Sequence, residues 1–315
     1  MTEVFLYRLF DRAIRSEIEL DLPYYRGTPA TADLWSYREG SFDETPGELV
    51  HDVVDFDGVR RLKVWHDGQG EITFQYGAAR ALWSLDDREI VIDDRDELTL
   101  GPEIFLDRVV APIAIMLEVP SVVALHASSV GDPGANAAIF IGDSGAGKST
   151  TALELMRRGL EIVADDLVLV DLETTSIWAA TPAVRLFDDP ATMPEAVDHK
   201  EVFPESHKYW YRLADDTQEQ AAIGLEAIYI LLPEEGLPQA TVEEVRGQQA
   251  TVHLLSQAFD LTEATDEWRA RRFRNICALA RSIPTYMVRY EQSDRGAPAQ
   301  VDAIAAHLAA MGERR

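Results

Sequence analysis

Residues Gly142 to Ser149 read GDSGAGKS and fit the pattern G-x-x-x-x-G-K-[ST]. The apolar run AAIFIG leads into this stretch. KSTTALELMRRG leads out of it, with helical spacing of apolar residues and Gly159 as a stop. Strand, glycine loop and helix in that order leave few folds open: the region must be α/β. A phosphate chain needs many donors aimed at one place. Glycines reach backbone conformations closed to other residues, so their N–H groups can converge. The helix that follows adds the positive end of its dipole. The candidate nucleotide-binding stretch is therefore Gly142, Asp143, Ser144, Gly145, Ala146, Gly147, Lys148, Ser149 and Thr150. Lys148 is placed to reach the β- and γ-phosphates of ATP, and the Ser149 hydroxyl to meet Mg²⁺.

Two neighbouring segments point at the same place. LHASSV and AAIFI are apolar runs joined by GDPGAN, a turn composition. If they pair antiparallel, the start of the first lies beside the end of the second, and His126 sits next to Gly142. The bland alternative is a core histidine satisfied by backbone. After the helix the chain turns at Gly159 and returns as EIVADDLVLVD, read as one apolar strand. A right-handed crossover makes this strand run parallel to AAIFI, so Asp165 and Asp166 arrive at the loop. Adjacent strand residues face opposite ways, so one aspartate is expected to hold Mg²⁺ and the other to take a proton from an acceptor. A strand-end turn is the competing reading.

Composition removes several function classes. The net charge of −26 argues against a nucleic-acid partner, which needs basic surface. Of 29 lysines and arginines only four are lysine (63, 148, 200 and 208), which leaves 25 arginines. Excess acid with scarce lysine fits the surface of a protein from a high-salt cytoplasm, where salt screens self-repulsion. A genome rich in arginine codons is the alternative. The single cysteine, Cys277, allows no internal disulfide and no cysteine-type zinc site, and its apolar helical setting predicts buried packing. The first twenty residues carry Glu, Arg and Asp among the apolar positions, so no signal peptide is read. Val109 to Leu125 is interrupted by Pro112, Glu118 and Pro120, so no membrane span is expected and the chain is placed in the cytoplasm.

Residues 1 to 100 are expected to form a mainly β domain. RSEIELDLPYY, GELVHDVVDFDGVRRLKVW and GEITFQYG read as strands, with turns at Asp57-Gly58 and at Asp67-Gly68-Gln69-Gly70. Residues 101 to 120 read as a bridging helix kinked or broken at Pro112. Residues 121 to 315 read as the α/β domain, with LEAIYILLP and PTYMVRYE as later strands and with 265 to 283 and PAQVDAIAAHLAAM as helices. The arginines at 269, 271, 272, 274 and 281 share the first of those helices and read as a charged face.

The sequence LHASSV, then GDSGAGKSTTALELMRRG, then VADD resembles the catalytic core of HPr kinase/phosphorylase and its shorter HPr-kinase-related relatives, in order and spacing, over about 121 to 170. Looser similarity continues through TPAVRLF, HKYWYRL and LEAIYILLP. The resemblance implies a P-loop core akin to that of phosphoenolpyruvate carboxykinase, and transfer of the γ-phosphoryl of ATP to a serine hydroxyl. It implies that Ser149 and Asp165 serve Mg²⁺, that Asp166 is the base, and that His126 lines the phosphate site and tunes that base. Arg185 and Lys208 lie where the relatives carry basic residues near nucleotide or acceptor, although a solvated charge fits each as well. The acceptor is a hydroxyl on a protein, a peptide or a small molecule. A nucleotide-gated binding protein and a carboxykinase-like enzyme on a small carboxylic acid are the other readings. A homo-oligomer is compatible with all of them.

Overall fold

The structure, a computed structural model, describes residues 3–25, 29, 34–43, 47–54, 61–93, 98, 101–132, 136–186, 196–203, 208–213, 222–291 and 299–312. It is a mixed α/β protein with several sheets and few helices. The chain divides into two units. Met1–Pro120 with Asp260–Arg271 form the first, and Ser121–Phe259 with Arg272–Arg315 form the second. Residues 102 to 118 thus count with the first unit, and a segment from late in the sequence returns to it. No helix among the described residues is long and apolar enough to cross a membrane.

The first unit holds an eight-stranded sheet. Its strands are β1 (Phe5–Leu9), β2 (Arg12–Ser16), β3 (Leu34–Glu39), β4 (Glu48–Val54), β5 (Arg61–His66), β6 (Glu71–Tyr76), β7 (Ala79–Ser84) and β8 (Glu89–Asp93). The spatial order is β1-β2-β3-β8-β7-β6-β5-β4, an antiparallel meander over β4 to β8 joined through parallel pairings to β3 and β2. Alternation decides the inner face: Leu62 and Val64 of β5 are buried, and Arg61 is exposed. The turn expected at Asp67 forms because its Oδ1 accepts the N–H groups of Gln69, Gly70 and Glu71. Asp57-Gly58 lies outside the described residues.

Two expectations for this unit change. The strand expected over 15 to 25 ends at Ser16, whose hydroxyl bonds both the N–H and the C=O of Ile18 and turns the chain. Residues 102 to 118 do not break at Pro112. Helix α1 (Pro102–Phe105) passes through a π-helical turn, Leu106–Val110, into α2 (Ala111–Glu118). The wider turn absorbs a proline that lacks an N–H and would otherwise press on the carbonyl four residues back.

Glu118 at the end of α2 accepts from the Trp83 indole and from Arg12, whose guanidinium lies 5.4 Å from the Trp35 ring centroid. Burial pushes the Glu118 carboxyl up, and the Trp83 and Arg12 contacts work against that. At the far edge of the sheet, residues 260 to 265 lie along β4. Glu263 N–H reaches Val50 O (3.1 Å), and the Thr262 N–H reaches His51 Nδ1 (3.2 Å). Because Nδ1 accepts, this ring is held in a neutral form. Burial lowers its pKa from 6.5, with Asp52 and Asp260 opposing. The unfolded chain therefore binds a proton here at a higher pH than the folded one does. Stability is full above 6.5 and falls as the pH drops below it, by at most about 1.4 kcal/mol per pH unit from this group. Thermal melting between about pH 7 and pH 5.5 is expected to show a steeper loss for the wild type than for His51→Gln, and equal slopes would refute the assignment.

The second unit holds a nine-stranded sheet. Strands β9 (Val122–Leu125), β10 (Ala127–Gly131), β11 (Asn136–Ile141), β12 (Glu161–Asp165), β13 (Val168–Asp171), β14 (Ser176–Trp178), β18 (Ala222–Pro233), β19 (Thr241–Val245) and β20 (Thr285–Tyr290) build it. A separate three-stranded sheet of β15 (Ala183–Leu186), β17 (Lys208–Leu213) and β16 (Ala196–Phe203) packs into the same core. The long β18 is the centre, parallel to β11 on one side and shared on the other by β14 and β20. Its nearly continuous apolar run suits burial on both faces. Phe140 and Tyr229 stack at 5.9 Å in the core.

Helix α3 (Lys148–Met156) ends as expected: Gly159 at φ +102 closes it through Gly159 N to Met156 O and Leu160 N to Leu155 O. The other helices are α4 (Gln248–Gln257), α5 (Asp266–Ser282) and α6 (Ala299–Gly312). The arginines of α5 are not simply a charged face. Arg272 donates to the carbonyls of Leu255, Ala258 and Phe259, closing the C-terminal end of α4, and Arg271 donates to Met116 O. Cys277 is half-buried rather than buried.

Candidate functional site

The run expected as one strand, LHASSV, is broken at His126. Before it β9 pairs with β13; after it β10 pairs with β11 and β12. The break follows from two bonds the residue makes: its N–H goes to Gln257 O at 2.7 Å, and its ring goes elsewhere. Ala127 pairs with Ile141, so His126 stands across from Gly142 as the hairpin register required. Residues 133 to 135 of that hairpin lie outside the described residues.

The glycine loop follows β11. Gly142, Gly145 and Gly147 take φ of +154, +83 and +79, and a Cβ on Gly142 would stand 2.7 Å from the Leu231 carbonyl oxygen. Gly147 is the N-cap of α3, and no side chain caps the first turn, which holds Lys148, Ser149 and Thr150. Asp143 and Ser144 are exposed at the tip. Lys148 is buried, and its ammonium donates to Gly142 O at 2.8 Å and Asp143 O at 3.3 Å. Beneath the loop the Tyr290 hydroxyl donates to Ala146 O, and Gln300 donates to the Thr151 hydroxyl. Burial pushes Tyr290 up to about 12, which keeps that donor protonated. Gly142→Ala is expected to destabilise the second unit by about 2–3 kcal/mol, because the clash is with backbone. Gly145→Ala, where a Cβ meets nothing within 4 Å, should lose only about 1–2 kcal/mol. Paired thermal melts would check the order, and equal losses would sink it.

Asp165 ends β12 and is buried. Its Oδ1 accepts from the Ser128 and Ser149 hydroxyls, the latter at 2.9 Å, and its Oδ2 accepts the Arg185 N–H at 2.9 Å. Strand β12 runs parallel to β11 in direction, with β10 between them. Asp166 reaches the site differently from the alternation expected. It leaves the strand with φ +72, so both carboxylates serve one place instead of opposite faces. The Asp166 carboxylate pairs with the Arg185 guanidinium at 2.7 Å and lies 3.8 Å from His126 Nδ1. The backbone carbonyl of Asp166 is 2.9 Å from the same ring nitrogen. A carbonyl only accepts, so Nδ1 carries the proton, and in the neutral ring Nε2 keeps its lone pair. The ring side chain is 49% exposed. Its packed side still loses enough water for burial to lower the pKa from 6.5, against the pull of the Asp166 carboxylate.

His126, Lys148, Ser149, Asp165, Asp166 and Arg185 are thus joined by contacts at one loop-helix junction. Lys208 begins β17, two residues before Trp210, the register partner of Arg185. Its side chain lies outside the described residues. Ser128 and Tyr290 were not expected here. Ser128 could have been read from its parity with the inward positions of HASSV; Tyr290 lies 144 residues from its partner and left no local signal. The hard oxygens of Ser149 and Asp165, 2.9 Å apart, suit Mg²⁺, which takes few protein ligands and completes its shell with phosphate oxygens and water. Among the described residues no group of three His, Cys, Asp or Glu could hold a metal.

No family model matches the chain, and no curated protein matches it. Among solved structures it is similar to the Hpr(Ser) kinase/phosphatase from Coxiella burnetii, at 12% identity over 61% of this chain and 93% of that one, with a TM-score of 0.30.

Proposed function

We propose that this chain is an ATP- and Mg²⁺-dependent kinase that moves the γ-phosphoryl group to a hydroxyl, on a serine of a protein or peptide or on a small molecule. One observation carries the reading. The carboxylate of Asp165 is bonded to the hydroxyl that opens the helix after the glycine loop, and the next residue turns a second carboxylate into the same place. Phosphoryl transfer needs positioning, neutralisation of phosphate charge and a proton acceptor, and these residues supply each.

The loop from Gly142 to Thr150 cradles the phosphates with backbone N–H groups, and the ammonium of Lys148 leaves the loop carbonyls for the β- and γ-oxygens. Ser149 and Asp165 would hold Mg²⁺, which would supply positive charge against that of the phosphates. Asp166 takes the proton of the acceptor hydroxyl as its oxygen bonds to the γ-phosphorus. The bond from that phosphorus to the bridging oxygen breaks, and ADP leaves. His126 fixes the turn at Asp166 through its ring N–H and so tunes the base. Arg185 holds Asp166 until phosphate or acceptor charge draws the guanidinium away.

The ion pair between Arg185 and Asp166 also favours a second reading, a nucleotide-gated binding protein, because a paired carboxylate is a weaker base. One experiment separates the two. Purified protein is given γ-labelled ATP, Mg²⁺ and an extract of its source cells, at low and high salt, beside Asp166→Asn. Label on a protein or peptide, lost in the variant, supports the serine kinase. Label in a small-molecule fraction keeps the mechanism and changes the acceptor. No label above the level of the variant removes the kinase reading.

A further inference from the structure

The first unit holds a cleft of about 460 Å³, within the usual size of a binding pocket. Its floor is apolar: Val50, Leu261 and Ala264 are buried. Its mouth is open, with Gly47, Glu48, Gly68 and Thr265 exposed. The shape is fixed by backbone, since a Cβ on Gly47 would meet the His66 carbonyl at 2.9 Å. Two carboxylates, Glu48 and Asp67, line the cleft, and among the described residues no lysine or arginine does. Neither carboxylate has a basic side-chain partner of Lys or Arg type among the described residues. For Asp67, burial works to raise the pKa, but three backbone N–H donors outweigh it and hold the group ionised. Burial lowers the pKa of His66, so at neutral pH it adds no cancelling charge.

We infer that this cleft binds the basic side chain, arginine above lysine, of a protein or peptide segment. An aliphatic stem fits the apolar floor, and a cationic head fits the acidic mouth. A planar guanidinium can engage two carboxylates together, which an ammonium does less well. The open mouth favours a side chain whose main chain stays outside over a small molecule enclosed entirely. The inference is independent of phosphoryl transfer.

Calorimetric titration of the full chain with acetyl-Ala-Arg-Ala-amide tests it. Binding is expected at about millimolar Kd or tighter, falling with salt, and about tenfold weaker for the citrulline peptide, which keeps the shape without the charge. Ala264→Leu, which fills the cleft, should abolish binding with the melting temperature kept. Glu48→Gln should weaken it about threefold or more, and Glu235→Gln, an exposed acid elsewhere, should leave it unchanged. Absent binding, equal binding of the citrulline peptide, or wild-type affinity in Ala264→Leu or Glu48→Gln would overturn the inference. Tighter binding of agmatine than of the arginine peptide would overturn the choice of a peptide segment.

Discussion

Asp166→Asn is expected to lower the rate of phosphoryl transfer by about 10²- to 10⁴-fold while ATP binding changes by less than about threefold. Asparagine tolerates the left-handed conformation that Asp166 adopts at φ +72, so the turn should survive. The amide can still accept from Arg185, which lies 2.7 Å from the carboxylate, and residue 166 still presents its backbone carbonyl to His126. What the amide cannot do is take a proton at neutral pH. The Asp166 and Arg185 side chains are only 25% and 13% exposed, so losing the charge while the amide keeps a hydrogen bond should cost about 1–3 kcal/mol of stability. Single-turnover transfer from γ-labelled ATP, beside calorimetric ATP affinity, separates the two effects. Transfer at the wild-type rate would remove Asp166 as the base. Loss of ATP affinity in step with rate would mean that the residue binds and does not accept the proton.

The loop was legible in the sequence because its requirements are local. Glycine where φ is positive, a lysine at the first turn and a hydroxyl after it can be read in eight letters. The hairpin register that puts His126 across from Gly142 was legible too, since the turn composition GDPGAN joins two apolar runs of similar length. The conformation of Asp166 was not. Nothing in VADD separates a strand that continues from one that turns left-handed at its last residue, and it is the ring of His126, forty residues earlier, that holds the turn. Strands β14, β15 and β19 run only three to five residues, and β14 is buried throughout, so period-two alternation had little length in which to show, while β13 was hidden in a run read as one strand with β12. Residues 260 to 271 read as an ordinary loop and helix start. Their place beside β4 depends on Thr262 and Glu263 meeting His51, Asp52 and Val50, pairings about 210 residues apart in sequence.

Lys148→Met is expected to weaken ATP binding by about 10²-fold and to leave AMP binding nearly unchanged. Methionine keeps the unbranched stem that packs beneath the loop, where Lys148 is only 8% exposed. The variant loses the two bonds from the ammonium to Gly142 O and Asp143 O, a cost of about 1–3 kcal/mol in the empty protein. That cost is common to every nucleotide and cancels when two nucleotides are compared on one variant. The difference between ATP and AMP therefore isolates the charge that reaches the β- and γ-phosphates from any distortion of the loop. Lys148→Arg should restore only part of the difference, because a planar guanidinium does not fit the position of a compact ammonium held by two converging carbonyls. Equal losses for ATP and AMP in Lys148→Met would show that the side chain supports the loop and does not bind phosphate. The glycine loop would then be a structural turn, and the kinase reading would lose the residue on which its nucleotide binding depends.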